Sequence, residues 1–269
     1  MILATGHVAH AQDIETPTAS SSPLDWTVTR FTEDPALIAT IQFDNGLTLV
    51  ARCMDNVYDV IISGLPPAGP RERTRQIGLM LGDDTSEDTT TWTVGANASA
   101  AFSRLPAMVA RRLAEGGKLQ IIVPGPSAGA PCTRYVMELD PSSRAIERTL
   151  TACGRPLVDL RRAERDGDGS DGLPANIRWA RRPKIEFPDA VGGRSPRLGY
   201  VVLSCVVAPQ GRLTDCVTES EQPPAYNLGS AVQRALPLAR VRQSDEGKAA
   251  GLPLEGRLII FAAVFSMAN

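Results

Sequence analysis

Short runs of alternating apolar and polar residues, broken by turn residues, dominate the first half of the chain, and that period of two marks half-buried strands. The pattern predicts strands at Ile38 to Phe43, Leu47 to Cys53, Val57 to Ser63, Arg73 to Leu81, Thr90 to Val94, Lys118 to Val123 and Arg134 to Leu139. Asp44-Asn45-Gly46 separates the first two and predicts a hairpin, because Asn-Gly supplies the positive φ of a tight turn. The period changes over two other segments. Pro106 to Glu115 aligns Met108, Val109 and Leu113 on one face and ends at Gly116-Gly117, a helix stop. Asp140 can N-cap a second helix with Pro141 at its first position and Ile146 and Leu150 facing inward.

Polar stretches divide the chain. Residues 1–23 read as a leader or signal remnant followed by a polar spacer, and 24–160 as an N-terminal domain. Residues 161–173, almost devoid of apolar side chains, read as a flexible linker, and 174–269 as a second domain. In that last part an apolar strand, Tyr200 to Val207, meets a second strand through Leu213, Cys216 and Thr218 across the turn Pro209-Gln210-Gly211-Arg212. A helix from about Asn227 places Leu228, Ala231, Val232, Ala235 and Leu236 on one face, and Pro237 should end it. The predicted fold class is α+β: a mixed α/β domain with a mainly antiparallel sheet, then a small two-layer α/β domain.

The segment Arg182 to Phe265 resembles the C-terminal domain of TonB-type energy transducers. The likeness rests on Pro183, Phe187-Pro188 and Ala190, on Gly199 before the apolar strand, on the Pro-Gln-Gly-Arg turn, on the Glu219-Ser220 strand end, and on the final run Gly256-Arg257-Leu258-Ile259-Ile260-Phe261. In that family the domain adds a short extended peptide of an outer-membrane transporter to a sheet edge, using main-chain hydrogen bonds. The resemblance implies the final strand as that edge, with Leu258, Ile260, Ala262 and Val264 as partner-binding residues. The apolar character of this run equally suits a central strand, which would move the edge elsewhere. The N-terminal order of helix, Gly-Gly, two strands, helix and Cys-Gly resembles small exported domains of the invasion-associated locus B type, and no function is carried across from it.

Cysteine use suits an oxidising compartment, since Cys53, Cys132, Cys153, Cys205 and Cys216 form no metal-like spacing. Cys205 and Cys216 flank the turn and lie opposite each other if its loop has two or four residues. A three-residue loop would send them to opposite faces unless a bulge restores the pairing. Cys53 ends a strand and Cys153 follows a helix, which makes them the second expected pair. Cys132 is left over and reads as a buried thiol. Ala9-His10-Ala11 before Gln12 fits a signal-peptidase site, although the basic n-region is missing. No other segment approaches the roughly 18–20 apolar residues that span a bilayer.

The 269 residues carry a formal net charge of −2 and no long basic run, which gives no electrostatic footprint for nucleic acid or anionic lipid. Both histidines, His7 and His10, lie in the leader segment, so hydrolases with a histidine base and most catalytic zinc sites are excluded for a processed chain. Ser-x-x-Lys, phosphate-loop and dinucleotide fingerprints are absent. Asp166, Asp168 and Ser170 imitate the start of a calcium loop, but Asp171 and Ile177 stand where glycine and glutamate are needed. Asp83-Asp84 and Glu87-Asp88 read as a solvated loop. Trp26 and Trp92 read as core anchors, and Trp179, among Arg178, Arg181 and Arg182, as packed against the hairpin or as a small interaction patch. No catalytic, metal or cofactor residue is assigned.

These readings lead to a non-enzymatic protein of the Gram-negative periplasm or cell envelope, whose TonB-like module binds a peptide or protein by strand addition. Its expected partner is an outer-membrane TonB-dependent transporter or another envelope protein. The alternatives are a true transducer component whose inner-membrane anchor is missing from a truncated gene, and a periplasmic enzyme housed in the N-terminal domain.

Overall fold

The computed structural model describes residues 26–31, 36–125, 127, 129–140, 144–161, 165–186 and 198–266. The leader and its cleavage motif, Pro141, and the Phe187-Pro188 and Ala190 positions lie outside the described residues.

Strands outweigh helices in the described part, 47% against 18%, in sheets of nine and six strands with four α-helices. This overturns the α+β class. The strand-forming runs are those the alternation marks, but further strands lie between them and every helix is short, so the balance shifts to mainly β.

The first sheet contains β1 (Thr27–Phe31), β2 (Ala36–Gln42), β3 (Thr48–Met54), β4 (Val57–Ser63), β5 (Thr74–Leu81), β6 (Asp88–Val94), β7 (Ala100–Ser103), β8 (Gly117–Val123) and β9 (Thr133–Leu139). Its order is β1-β2-β3-β4-β7-β6-β5-β8-β9, every neighbour antiparallel. At the first hairpin Gly46 has φ of 84° and Asn45 Oδ1 accepts the Leu47 N–H at 3.1 Å, the local bond that lets asparagine start a turn. The helices α1 (Pro106–Ala114) and α2 (Arg144–Ala152) pack on each other and on this sheet in one continuous core, which includes Ile41, Leu49, Tyr58, Ile77, Trp92, Leu113, Ile121 and Ile146. Cys53 and Cys153 are bonded and tie α2 to β3, with Cα atoms 5.4 Å apart. Beside them the Tyr58 hydroxyl meets Thr149 Oγ1 at 3.0 Å inside the core, and burial pushes the phenol well above its usual range.

The second sheet contains β10 (Arg165–Asp166), β11 (Ile177–Arg181), β12 (Leu198–Ala208), β13 (Arg212–Gln222), β14 (Arg240–Gln243) and β15 (Leu258–Ser266), in the order β10-β15-β12-β13-β14-β11. Its neighbours are antiparallel except β10 and β15. The helix α3 (Leu228–Ala235) lays Leu228, Ala231 and Val232 on one face of β12 and β13, and a 3₁₀ turn containing Pro237 ends it. A short α4 (Asp245–Ala249) follows β14, capped where Ser244 Oγ accepts the Gly247 N–H.

The β12–β13 turn settles the cysteine register. Its loop has three residues, Pro209, Gln210 and Gly211, and pairs Ala208 with Arg212 and Val206 with Thr214. That register would offset Cys205 from Cys216 by one. A bulge at Asp215, whose φ is 47°, then shifts the pairing to Ser204 with Val217. The two cysteines come face to face, Cα atoms 4.1 Å apart and bonded. Gly211 is needed for a second reason besides its φ of 68°: a Cβ there would lie 1.9 Å from the Val241 carbonyl oxygen, so only glycine lets β14 approach the turn. Cys132 is free and exposed, which corrects the buried reading.

Residues 161–173 are not a loose linker over their described part. β10 adds to β15 in parallel, and Gly172 donates to the Ala262 carbonyl at 3.4 Å. The face of β12 and β15 opposite α3 is covered as well: Tyr200, Val202, Ile260 and Ala262 pack on Leu105 and Met108 of the N-terminal half. With both faces buried, β12 reads as a continuous apolar run instead of an alternation.

Candidate functional site

Two concave regions stand out, and their chemistry differs. One lies between the halves, about 220 Å³, lined by Leu105, Met108, Leu258 and Ile260 below a ring of charged groups. Arg161 grips Asp159 with two parallel bonds, Nε to Oδ1 at 3.1 Å and Nη2 to Oδ2 at 2.7 Å, and reaches Ser204 Oγ at 2.7 Å. These bonds from Arg161 are the main reason the Asp159 carboxyl sits below the usual carboxylate range. Ser204 in turn donates to Glu219, and Arg112 and Arg165 meet at Asp88. Residues 82–87 form an exposed loop, as the sequence suggests, but Asp84 within it also pairs with Arg112, and Asp88 opens β6. Asp166 pairs with Arg257, whereas Asp168 accepts from Thr91 at 2.9 Å and from the Ser170 N–H at 3.0 Å, so these carboxylates diverge and fasten the connecting segment. Charges here neutralise one another and hold the halves together.

The joint centres on Arg104, whose side chain is 4% exposed. Its Nη1 donates to Gly169 O at 2.9 Å and Asp171 Oδ1 at 3.0 Å, its Nε to Thr93 Oγ1 at 3.2 Å, and its guanidinium lies 4.5 Å from the Tyr200 ring centre. Burial pushes the Tyr200 phenol up to about 12, so the ring remains a neutral face for the cation at ordinary pH.

The other region is a groove of about 760 Å³ beside the end of β15. One wall is the strand itself, at Ala262, Ala263 and Val264. The other is built by β11 and the residues just after it, including Arg178, Trp179, Arg182 and Pro183, with Arg242 of β14. Trp179 packs edge-on against Phe261 with ring centres 5.5 Å apart, closing the floor. Asp245 and Glu246 also line the groove. Glu246 is held below its usual range, first by the Ser244 side chain and to a smaller degree by Arg178.

Backbone geometry makes this wall a usable edge. On an antiparallel strand, alternate residues turn both N–H and C=O away from a given neighbour. The Ala262 carbonyl accepts from Gly172, on the side away from β12, so the N–H and C=O of Val264, two residues on, face that same side. Among the described residues no strand pairs with β15 there beyond Ala262. Val264 is 50% exposed.

Of the four residues expected on a partner-binding edge, the structure keeps one in the open. Leu258 pairs with Arg165 and its neighbour Ile259 with Asp166, Ile260 is buried against the N-terminal half, and Ala262 is bridged by Asp171 and Gly172. The edge is therefore confined to the strand's end, because the connecting segment and the N-terminal half cover the rest. The opposite wall is not marked by the sequence pattern apart from Trp179 and its neighbouring arginines. Its signal is faint: Arg240 and Arg242 at alternate positions of a four-residue strand. The chain matches no family model, no curated protein and no solved structure.

Proposed function

We propose that the protein is a non-enzymatic component of the cell envelope that captures an extended peptide segment of a partner as an added strand on β15. The observation that carries the reading is the ladder of β15, which among the described residues is paired through Ala262, open from Val264 and facing a groove. An incoming chain would continue where the protein's own segment stops, bonding to the outward N–H and C=O of Val264 by main-chain contacts that tolerate varied sequence. The two disulfides place the chain in an oxidising, extracytoplasmic setting, and no helix among the described residues is long and apolar enough to cross a membrane. The resemblance of Arg182 to Phe265 to TonB-type C-terminal domains supplies the partner class, the periplasmic segments of outer-membrane transporters or a similar envelope protein.

Val264→Pro tests it. Proline removes an N–H that faces away from β12 and is tolerated on the open side of an edge strand, so the melting temperature should hardly move. Calorimetry with peptides representing transporter periplasmic segments should show affinity reduced roughly tenfold or more, since the peptide carbonyl loses its donor. Equal affinity for the variant and the parent would remove strand addition at this edge.

A further inference from the structure

The net charge of −2 conceals a segregation of charge that the fold creates. Arg178 stands directly opposite Arg242, Arg181 opposite Arg240, and Arg240 also opposite Arg212, so arginines form rows across β11, β14 and β13. A bulge is responsible for part of this: the register slips between Trp179 and Arg181, so that Arg181 and not Ala180 meets Arg240. Residues facing each other in an antiparallel pair share one face, and like charges there repel.

Seven arginines elsewhere are neutralised: Arg52, Arg104, Arg111, Arg112, Arg161, Arg165 and Arg257 each pair with a carboxylate. Others, such as Arg75, Arg134 and Arg155, bond to carbonyl or amide oxygens. Among the described residues none of the stacked arginines has a carboxylate within 4.0 Å. Arg178 donates to the carbonyls of Ala175 and Ile177, and Arg240 to those of Pro237 and Ala239, bonds that leave the positive charge in place. Arg178 and Arg242, with Arg182, form the wall that faces the open edge of β15.

We infer that the segment captured on β15 is acidic: an extended peptide carrying Asp or Glu at alternate positions, whose backbone pairs with Val264 while its carboxylates lie on Arg178, Arg182 and Arg242. This rests on the strand-addition reading and adds the chemistry of the partner. Cross-strand repulsion within the arginine rows is relieved when the carboxylates arrive, and the positive wall also speeds encounter with an acidic chain. Asp245 and Glu246 line the same groove, so the peptide's carboxylates must lie on the arginines away from these two.

The test uses the full chain and three synthetic peptides with one hydrophobic alternation, bearing glutamate, serine or lysine at the remaining positions. The acidic peptide should bind roughly tenfold or more tightly than the serine peptide, and the difference should shrink as salt rises from about 0.05 to 0.5 M. In the double variant Arg178→Glu and Arg242→Glu, with unchanged melting, the acidic preference should vanish. Val264→Pro should weaken both the acidic and the serine peptide. Equal affinity for those two peptides, with Val264→Pro still weakening both, overturns the acidic specificity and leaves strand addition standing. Failure of every peptide overturns both. Acidic binding indifferent to Val264→Pro also overturns the inference, since the arginine face would then take anions without the strand. Binding to phosphatidylglycerol vesicles and to no peptide overturns it in favour of a lipid surface.

Discussion

Replacing Cys53 and Cys153 together by alanine is expected to cost about 4–5 kcal/mol of folding stability, the loop entropy returned to the unfolded chain when a span of this length is opened. The bond joins residues separated by 100 positions and encloses most of the N-terminal sheet and all of α1. It also anchors α2, a nine-residue helix too short to persist on its own propensity, whose other fixed points are Leu150, Ile146 and the Thr149 bond to Tyr58. Urea denaturation of the parent and the double variant measures the difference. The same reasoning gives the Cys205–Cys216 bond, whose separation is 11, only about 2–3 kcal/mol. A loss below about 1 kcal/mol for the first pair would show that α2 is held without it.

Arg104→Ala is the second large effect, expected to cost about 3 kcal/mol. The guanidinium is buried and touches three parts of the chain: Thr93 of β6, Gly169 and Asp171 of the connecting segment, and the Tyr200 ring of β12. Removing it strips the Gly169 carbonyl of its donor and the Tyr200 face of its cation. Asp171 loses less, because its side chain is 60% exposed and water replaces the arginine. Ser220 Oγ donates to the Arg104 backbone carbonyl, a bond the substitution leaves intact, so the loss falls on the guanidinium's contacts. A lower urea midpoint and faster tryptic cleavage at Arg161 and Arg165 should appear together, since both report the docking of the two halves. Unchanged midpoint and unchanged cleavage would mean that the apolar contact of Leu105 and Met108 with Val202 and Ile260 suffices.

Much of the fold was legible where one physical signal dominates. Seven strands follow alternation, the Asn45-Gly46 hairpin follows turn chemistry, and the apolar face Leu228, Ala231, Val232 and Leu236 is the face that α3 and its terminal turn bury. The class failed because short strands carry little periodic signal. β7 has four residues and β10 two, and no alternation marks β11 and β14, whose inward positions are only Ile177, Trp179 and Val241. Residues 161–173 read as a linker for want of apolar side chains, yet residues 165–172 dock through glycines, carboxylates and backbone groups. Gly167 lies so close to the Ile260 carbonyl that a Cβ would clash at 2.4 Å, an approach no hydrophobic pattern encodes. Arg104 is a charged residue serving a core, legible only once Tyr200 and Gly169 are known to surround it.

The site was legible in part for the same reasons. Val264 lies on a strand that the pattern of apolar residues marks plainly, but which half of that strand is open depends on where residues 165–172 travel. The arginine rows depend on a bulge at Ala180 and on the order β13-β14-β11, both properties of pairing and not of composition.

Residue-resolved amide hydrogen exchange on β15, with and without the acidic peptide, tests the capture of a strand most directly. The Val264 amide should exchange quickly in the free protein and become protected in the complex, while the β12-facing amides of Ala263 and Phe265 change little. A peptide that binds and leaves Val264 exchanging as before would contradict the account.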